Sequence, residues 1–173
     1  MSRFHPAHNR DYRHVSSQVK NRGGREYYTP SGWVKFALLM TDEDKLAFSS
    51  SSCVCFYLAD IYVIKSIVET GRFPSQNQVN LEDSSFYTDL NYVYVTPFID
   101  QLSHSGRGVS VPDDHLFSLG SSKTYQVVLQ CLVANYSITP IPNQDPIQIS
   151  RSPSVWSVKS SSLTPYAICI KQI

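Results

Sequence analysis

Two adjacent glycines flanked by arginines have the residue types and spacing best suited to holding an anion. Gly23 and Gly24 lie between Arg22 and Arg25. Such a turn can offer backbone N–H groups to a phosphate while the arginines supply positive charge. The pair predicts either a phosphate-binding loop or a simple tight turn, and the sequence leaves both open.

Positive charge is concentrated around this turn, in the first 26 residues. Lys and Arg number six there against two acidic residues, a formal charge of +4. The segment is interpreted either as a solvated arm along the edge of the domain or as a contact for phosphate, from a nucleotide or nucleic acid. The candidate nucleic-acid contacts are Arg10, Arg13, Lys20, Arg22 and Arg25.

Complete catalytic and metal-binding motifs are absent from the sequence. There is no G-x-S-x-G elbow, P-loop, G-x-G-x-x-G or H-E-x-x-H. His104 and His115 lie in a long loop without a recognisable orienting partner. The N-terminal histidines His5, His8 and His14 have no spacing that fixes a metal geometry, so no metal site is predicted.

Cysteine chemistry is not expected either, because all four cysteines stand in apolar runs: Cys53, Cys55, Cys131 and Cys169. A free cysteine in such a run behaves as a small hydrophobe. We therefore expect buried, reduced thiols.

Size and composition favour one strand-rich domain with an N-terminal arm. The 173 residues carry a net charge of +1, and 42% are hydrophobic but only 17% charged. This composition argues against a helical bundle, whose exposed helix faces would need more charged residues. We expect a polar, irregular arm over residues 1–25 and a folded domain over residues 26–173.

No apolar run is long enough to cross a bilayer and no signal-peptide core follows Met1, so an intracellular location without membrane contact is expected.

The elements that must position these residues follow from hydrophobic patterning. Strands are predicted at residues 33–40, 53–58, 92–96, 125–134, 156–158 and 166–170, with 53–58 and 125–134 central because both faces are apolar. One helix is predicted between Asp60 as N-cap and Gly71 as its C-terminal glycine. Pro140, Pro142, Pro146 and Pro153 predict an extended loop outside any regular ladder. The fold class is α+β with a mostly antiparallel sheet.

Several of these segments together resemble the ADP-ribosyltransferase fold, the superfamily that includes poly(ADP-ribose) polymerases. Arg22-Gly23-Gly24-Arg25-Glu26-Tyr27-Tyr28, continuing to Trp33, is similar to an R-G-G-x-x-Y-Y-x-P-x-G-W entry seen in an uncharacterised branch of invertebrate and protist proteins. Residues 53–58, 93–97 and 125–133 and the closing Thr164-Pro165-Tyr166-Ala167-Ile168 resemble further strands of the family. The similarity extends from about Asn21 to Lys171.

The resemblance implies a cleft for NAD or ADP-ribose, but also altered chemistry. The family's nicotinamide-stacking Tyr corresponds to Tyr94, its ribose-holding His to Tyr57 and its Glu to Val155. A phenol can still donate a hydrogen bond, whereas valine cannot stabilise positive charge. Loss of such a transition-state partner typically costs about 10²–10³ in rate.

Three functions are compatible with these patterns. The first is a catalytically degenerate ADP-ribosyltransferase-like domain that binds a nucleotide-like ligand or a protein partner, with Tyr57, Tyr94, Val155, Gly23 and Gly24 as cleft residues. The second is a divergent, active NAD-dependent transferase in which Glu82 or Asp114 reaches in from a loop. The third is a scaffold whose basic arm contacts nucleic acid.

Overall fold

The computed structural model describes residues 4–47, 51–73, 92–100, 109–111, 123–141 and 155–173. Within them the chain is α+β, with sheets whose strand pairs are all antiparallel. In chain order the strands are β1 (Arg10–Asp11), β2 (Val19–Arg22), β3 (Arg25–Tyr28), β4 (Val34–Ala37), β5 (Ser52–Tyr57), β6 (Tyr92–Val95), β7 (Val109–Val111), β8 (Lys123–Ala134), β9 (Ile138–Ile141), β10 (Val155–Lys159) and β11 (Leu163–Gln172). The α-helices are α1 (Asp42–Ala47) and α2 (Ile61–Thr70).

A six-stranded sheet forms the centre of the fold, in the order β1-β4-β11-β8-β5 with β7 also paired to β8. Because successive side chains of a strand point to opposite faces, β5 contributes to two cores. Cys53, Cys55 and Tyr57 lie in one hydrophobic cluster with residues of the second sheet. Val54 and Phe56 lie in the other cluster, with Trp33.

A three-stranded sheet, β6-β10-β9, packs on the first of these cores through residues such as Val93, Val95 and Trp156. The two sheets meet at a bridge between Phe56 and Thr96, whose backbone N–H groups each donate to the other's carbonyl at 2.7 and 3.1 Å. This bridge fixes the end of β6 against β5.

Helix α2 begins and ends where its sequence signals predict. The Asp60 carboxylate accepts a hydrogen bond from the Tyr62 N–H at 2.8 Å, and Gly71 adopts the left-handed conformation at φ 72°. Ile64 and Ile67 are buried beneath the helix. Both cap signals are therefore confirmed.

Three details differ from the sequence predictions. Strand β5 lies at the end of the strand order rather than in its middle, although both of its faces are buried. Pro140 belongs to β9, which tolerates it because β9 is an edge strand of its sheet. The segment 1–25, expected to be irregular, contains β1 and β2. Its expected end at residue 25 falls inside the β2–β3 hairpin, where Arg22 pairs with Arg25.

The four cysteines are buried and free, as predicted. Among the described helices, none has the length and apolar character needed to cross a membrane.

Candidate functional site

The turn of the β2–β3 hairpin presses against the start of β5. Gly23 and Gly24 have φ of 64° and 80°, the left-handed region in which glycine is favoured and from which two-residue hairpin turns are built. A Cβ on Gly23 would lie 2.6 Å from the carbonyl oxygen of Ser51. The Cys53 thiol donates to the Gly23 carbonyl at 3.4 Å. The glycine pair is thus a tight turn whose backbone contacts the central sheet.

Arg25, the residue after this turn, is held by two contacts from distant parts of the chain. Its Nε donates to Oδ1 of Asn135 at 2.7 Å, and its guanidinium carbon lies 5.2 Å from the centre of the Trp156 ring. No acidic side chain among the described residues lies within 4.0 Å of the guanidinium nitrogens. Its positive charge is therefore stacked on an aromatic face but not neutralised by a described carboxylate.

A cleft of about 300 Å³ opens beside Arg25. Its described lining comes from the hairpin, from the two residues Pro97 and Phe98 that follow β6, and from β9 and β10: Gly24, Arg25, Glu26, Pro97, Phe98, Pro140 and Trp156. The Phe98 ring is fixed by an edge-on contact with Tyr28 at 5.1 Å between ring centres. The cleft thus combines aromatic rings, a fixed cation and the backbone of a glycine turn, and we take it as the candidate site.

Tyr57, the predicted counterpart of the ribose-holding residue, lies in the core and outside this cleft. It is 6% exposed and meets Phe73 edge-on, with 5.4 Å between ring centres. Burial, with a smaller contribution from Cys131, raises the pKa of Tyr57 to about 12. The phenol is therefore neutral at physiological pH.

Tyr94 and Tyr57 are not brought together. Tyr94 stands between Val93 and Val95 on β6, and both valines belong to the core that contains Tyr57. Alternation along the strand directs the half-buried Tyr94 to the opposite face, where it pairs with Ser157 of β10.

Val155, at the predicted position of the acid, opens β10 and pairs with Ile141. Its side chain is 37% exposed, and it lies on the same face as Ser157, and hence as Tyr94. Of the five predicted cleft residues, Gly24 is the one in the described lining of the Arg25 cleft, and Gly23 packs against the backbone of Ser51 and Ser52. Tyr94 and Val155 share the far face of the second sheet.

Sequence reasoning did not identify Trp156 and Phe98, which line the cleft, or Asn135, which holds Arg25 beside it. Asn135 follows β8 and is separated from Arg25 by 110 positions, so no local pattern relates the two. Trp156 is distinguished in the sequence only by its type, and its position opposite Pro140 on β9 becomes visible only in the paired strands.

The basic residues predicted to contact nucleic acid occupy different environments. Arg13 is bound to Asp11 by paired hydrogen bonds, the shorter 2.6 Å, and these bonds hold the pKa of the Asp11 carboxyl down to about 2. Arg25 stacks on Trp156, while Lys20 and Arg22 lie on the hairpin strand β2. Arg10 lies on β1, opposite Lys35.

The loop residues proposed from sequence, Glu82, Asp114, His104 and His115, lie outside the described residues. Within the described ranges, no three His, Cys, Asp or Glu side chains converge as a metal site would require.

Comparison with known proteins does not identify a family for this chain. No family model matches the chain, and no curated protein is significantly similar to it.

Proposed function

We propose that this chain is a catalytically degenerate ADP-ribosyltransferase-like domain that binds a nucleotide-like ligand, ADP-ribose or NAD, in the Arg25 cleft. The observation that carries the proposal is the Arg25 guanidinium, fixed over Trp156 beside an open cleft without a described carboxylate partner. The Nε–Asn135 bond leaves the two terminal amino groups of the guanidinium as donors.

The chemistry of the lining suits such a ligand. A guanidinium with two remaining donor groups matches the oxygens of a phosphate. The adjacent Phe98, which is half-buried, offers apolar surface to a purine or nicotinamide ring, and base–aromatic contacts are typically worth about 1–3 kcal/mol. A volume of about 300 Å³ is at the lower end of small-molecule sites, which favours a nucleoside with its adjacent phosphate over the whole of NAD as the enclosed part.

Binding without turnover is supported by the two altered positions. Tyr57 is packed against Phe73 in the core, and Val155 brings no charge to the face that it shares with Tyr94. An oxocarbenium-like transition state needs an anion or a preorganised dipole close by. Neither of these side chains provides one.

A thermal-shift titration with NAD, ADP-ribose and ATP tests the proposal, because a ligand that binds only the native state raises the melting temperature. Inorganic pyrophosphate at the same concentration serves as the reference for charge alone. We expect ADP-ribose or NAD to give a saturable rise larger than that of pyrophosphate, and Arg25→Gln to remove the excess.

The matched control is Arg13→Gln, which deletes an exposed arginine already bound to Asp11. It should leave the shift unchanged. No nucleotide-dependent shift at millimolar concentration, or an equal loss in both variants, would contradict a nucleotide site at Arg25 and leave a protein partner as the ligand class.

A further inference from the structure

A second cleft, of about 370 Å³, opens beside the central sheet. Its described lining comes from the segment that runs from β4 into α1, from the C-terminal end of α2 and from the start of β11. None of these residues belongs to the described lining of the Arg25 cleft. The two clefts are therefore separate places at which a small molecule could bind.

Two opposite charges line this second cleft. They are Asp44 of α1 and Arg72, which directly follows the C-terminal glycine of α2. Within the described part of the chain, no carboxylate oxygen lies within 4.0 Å of the guanidinium nitrogens of Arg72. Arg72 and Asp44 thus do not pair with each other, and the cleft presents a cation and an anion that stay apart.

The Asp44 carboxylate is held in position by Thr41. Its Oδ2 accepts hydrogen bonds from the Thr41 N–H at 3.0 Å and from the Thr41 hydroxyl at 2.7 Å. The Asp44 N–H in turn donates to the Thr41 hydroxyl at 3.0 Å, which completes a reciprocal helix cap. All these bonds leave Oδ1 without a hydrogen bond among the described residues. The carboxylate is therefore preorganised and still has an acceptor for a cationic group.

Arg72 lies where the chain leaves α2. Gly71 reverses the chain at φ 72°, and the Arg72 N–H then donates to the Thr70 hydroxyl at 3.2 Å. A cation at this place also interacts favourably with the negative end of the helix dipole. That interaction uses none of the guanidinium donors, and in the described structure they make no hydrogen bond. They can bind a carboxylate in a two-pronged geometry.

An apolar wall lies in the same cleft as the two charges. Leu38 and Leu163 are buried, and Val68 of α2 is half-buried. Leu39, in contrast, is 47% exposed, which is unusual for a large apolar side chain. A ligand that covers Leu39 would gain from burial of its apolar surface.

We propose that this cleft is a second binding site, for a free α-amino acid with an aliphatic side chain. The carboxylate of the amino acid pairs with Arg72, its ammonium group pairs with Oδ1 of Asp44, and its side chain covers Leu39. A volume of about 370 Å³ is near the lower end of small-molecule sites, which suits a ligand of this size. A ligand with one charge would leave the other charged group of the cleft without a partner.

Titration with L-leucine, followed by amide chemical shifts in NMR spectra of the wild-type protein, tests the site. The measurement is made at a pH of about 6.5, below the usual α-amino pKa of about 8, so that the ligand is zwitterionic. We expect saturable binding of L-leucine and weaker binding of glycine, which cannot cover Leu39. No saturable binding of L-leucine, or equal affinities for the two amino acids, would overturn the proposal.

Leucinamide, which lacks the carboxylate, tests the role of Arg72. Arg72→Gln should weaken L-leucine binding about tenfold or more, as the loss of a charge-assisted hydrogen bond predicts, and leave leucinamide binding unchanged. The matched control is Arg13→Gln, which removes an exposed arginine paired with Asp11 and should change neither affinity. An equal loss for both ligands in Arg72→Gln would contradict the pairing of Arg72 with the carboxylate.

Isocaproate, which is leucine without its amino group, tests the role of Asp44 in the same way. Asp44→Asn keeps an oxygen acceptor for Thr41 but removes the negative charge, so it should weaken L-leucine binding and not isocaproate binding. Asp42→Asn, at an exposed carboxylate paired with Lys45, is the control. Unaltered L-leucine affinity in Asp44→Asn would count against the site. If Asp44→Asn does not fold, Arg72→Gln alone decides, because Arg72 is exposed and lies outside the helix.

The two proposed sites can fail separately. Arg25→Gln should leave L-leucine binding unchanged, because Arg25 is not in the described lining of this cleft. Arg72→Gln should likewise leave the nucleotide-dependent rise in melting temperature unchanged. Loss of L-leucine binding in Arg25→Gln, with Arg72→Gln unaffected, would place the amino acid in the Arg25 cleft and overturn this proposal.

Discussion

Arg25 donates a hydrogen bond from Nε to Oδ1 of Asn135 at 2.7 Å, and it joins residues 110 positions apart in the chain. The bond ties the β2–β3 hairpin to the short helical turn that follows β8. Because the same guanidinium stacks on Trp156, one side chain connects the hairpin to both sheets. The candidate cleft depends on this connection.

The turn glycines provide a matched pair of variants. At Gly23 a Cβ would meet backbone atoms of Ser51 and Ser52 at 2.6–2.8 Å, whereas at Gly24 the nearest atom is Nδ2 of Asn135 at 3.6 Å. Both positions have positive φ, which costs a non-glycine residue about 1–2 kcal/mol, and only Gly23 adds a steric clash. We expect Gly23→Ala to lower the free energy of unfolding by about 3 kcal/mol or more and Gly24→Ala by about 1 kcal/mol, measured by urea denaturation. Equal losses would show that the hairpin is not pressed against β5.

Alkaline pH should destabilise the protein through its buried thiols and phenols. Burial raises the pKa of Cys169 and of Tyr57 to about 12, and it raises the pKa values of Cys55 and Cys131 as well. In the unfolded chain these groups lose their protons near pH 9 to 10, while the native state keeps them. Their contribution to stability is therefore complete below about pH 9 and is lost as the pH rises toward 12, by about 1.4 kcal/mol per pH unit for each group.

Urea denaturation between pH 8 and pH 10.5 measures this loss. In Cys169→Val the free energy of unfolding should fall less steeply with pH, because valine has no proton to release. Tyr136→Phe removes a phenol that is 91% exposed. It should leave the fall of unfolding free energy with pH unchanged. The same slope in wild type and Cys169→Val would contradict the proposed origin.

The N-cap of α2 should be worth a measurable amount of stability. Asp60→Ala removes the acceptor of the Tyr62 N–H bond, and such a loss typically costs about 1 kcal/mol. Asp42→Ala, which removes an exposed carboxylate paired with Lys45, should cost far less. If urea denaturation gives similar losses of unfolding free energy in the two variants, the Asp60 hydrogen bond does not stabilise α2.

Tyr57 should behave as a packing residue and not as a ligand contact. Tyr57→Phe retains the ring that meets Phe73, so both stability and nucleotide affinity should stay close to wild type. Tyr57→Ala should destabilise the protein by about 3–5 kcal/mol through the cavity that it leaves. A lower nucleotide affinity in stable Tyr57→Phe would instead place the phenol in a binding site.

The elements predicted correctly from sequence have local causes. Helix α2 is defined by Asp60, Gly71 and the apolar positions between them, all within twelve residues. Strand β8 was predicted to be central because both faces are apolar, and it pairs with β11 on one side and β5 on the other. The α+β class follows from such segments.

The errors arise where burial and pairing are decided by distant residues. Strand β5 is apolar on both faces, yet among the described residues its ladder is with β8, and its other edge bonds to Thr96 through Phe56. The hairpin strand β2 has mostly exposed side chains, so no apolar pattern predicted it. The contact of Arg25 with Asn135 and Trp156 requires the folded sheets and has no signature in the sequence.

Binding without turnover is tested most directly by incubating the purified protein with NAD and following binding and chemistry in the same samples. Binding is read from the melting temperature with Arg25→Gln as reference, and chemistry from the release of nicotinamide. We expect a saturable, Arg25-dependent shift without nicotinamide release above the buffer rate. Nicotinamide release by the wild-type protein that Arg25→Gln lowers would contradict it, because the domain would then be an active transferase and not a binding domain.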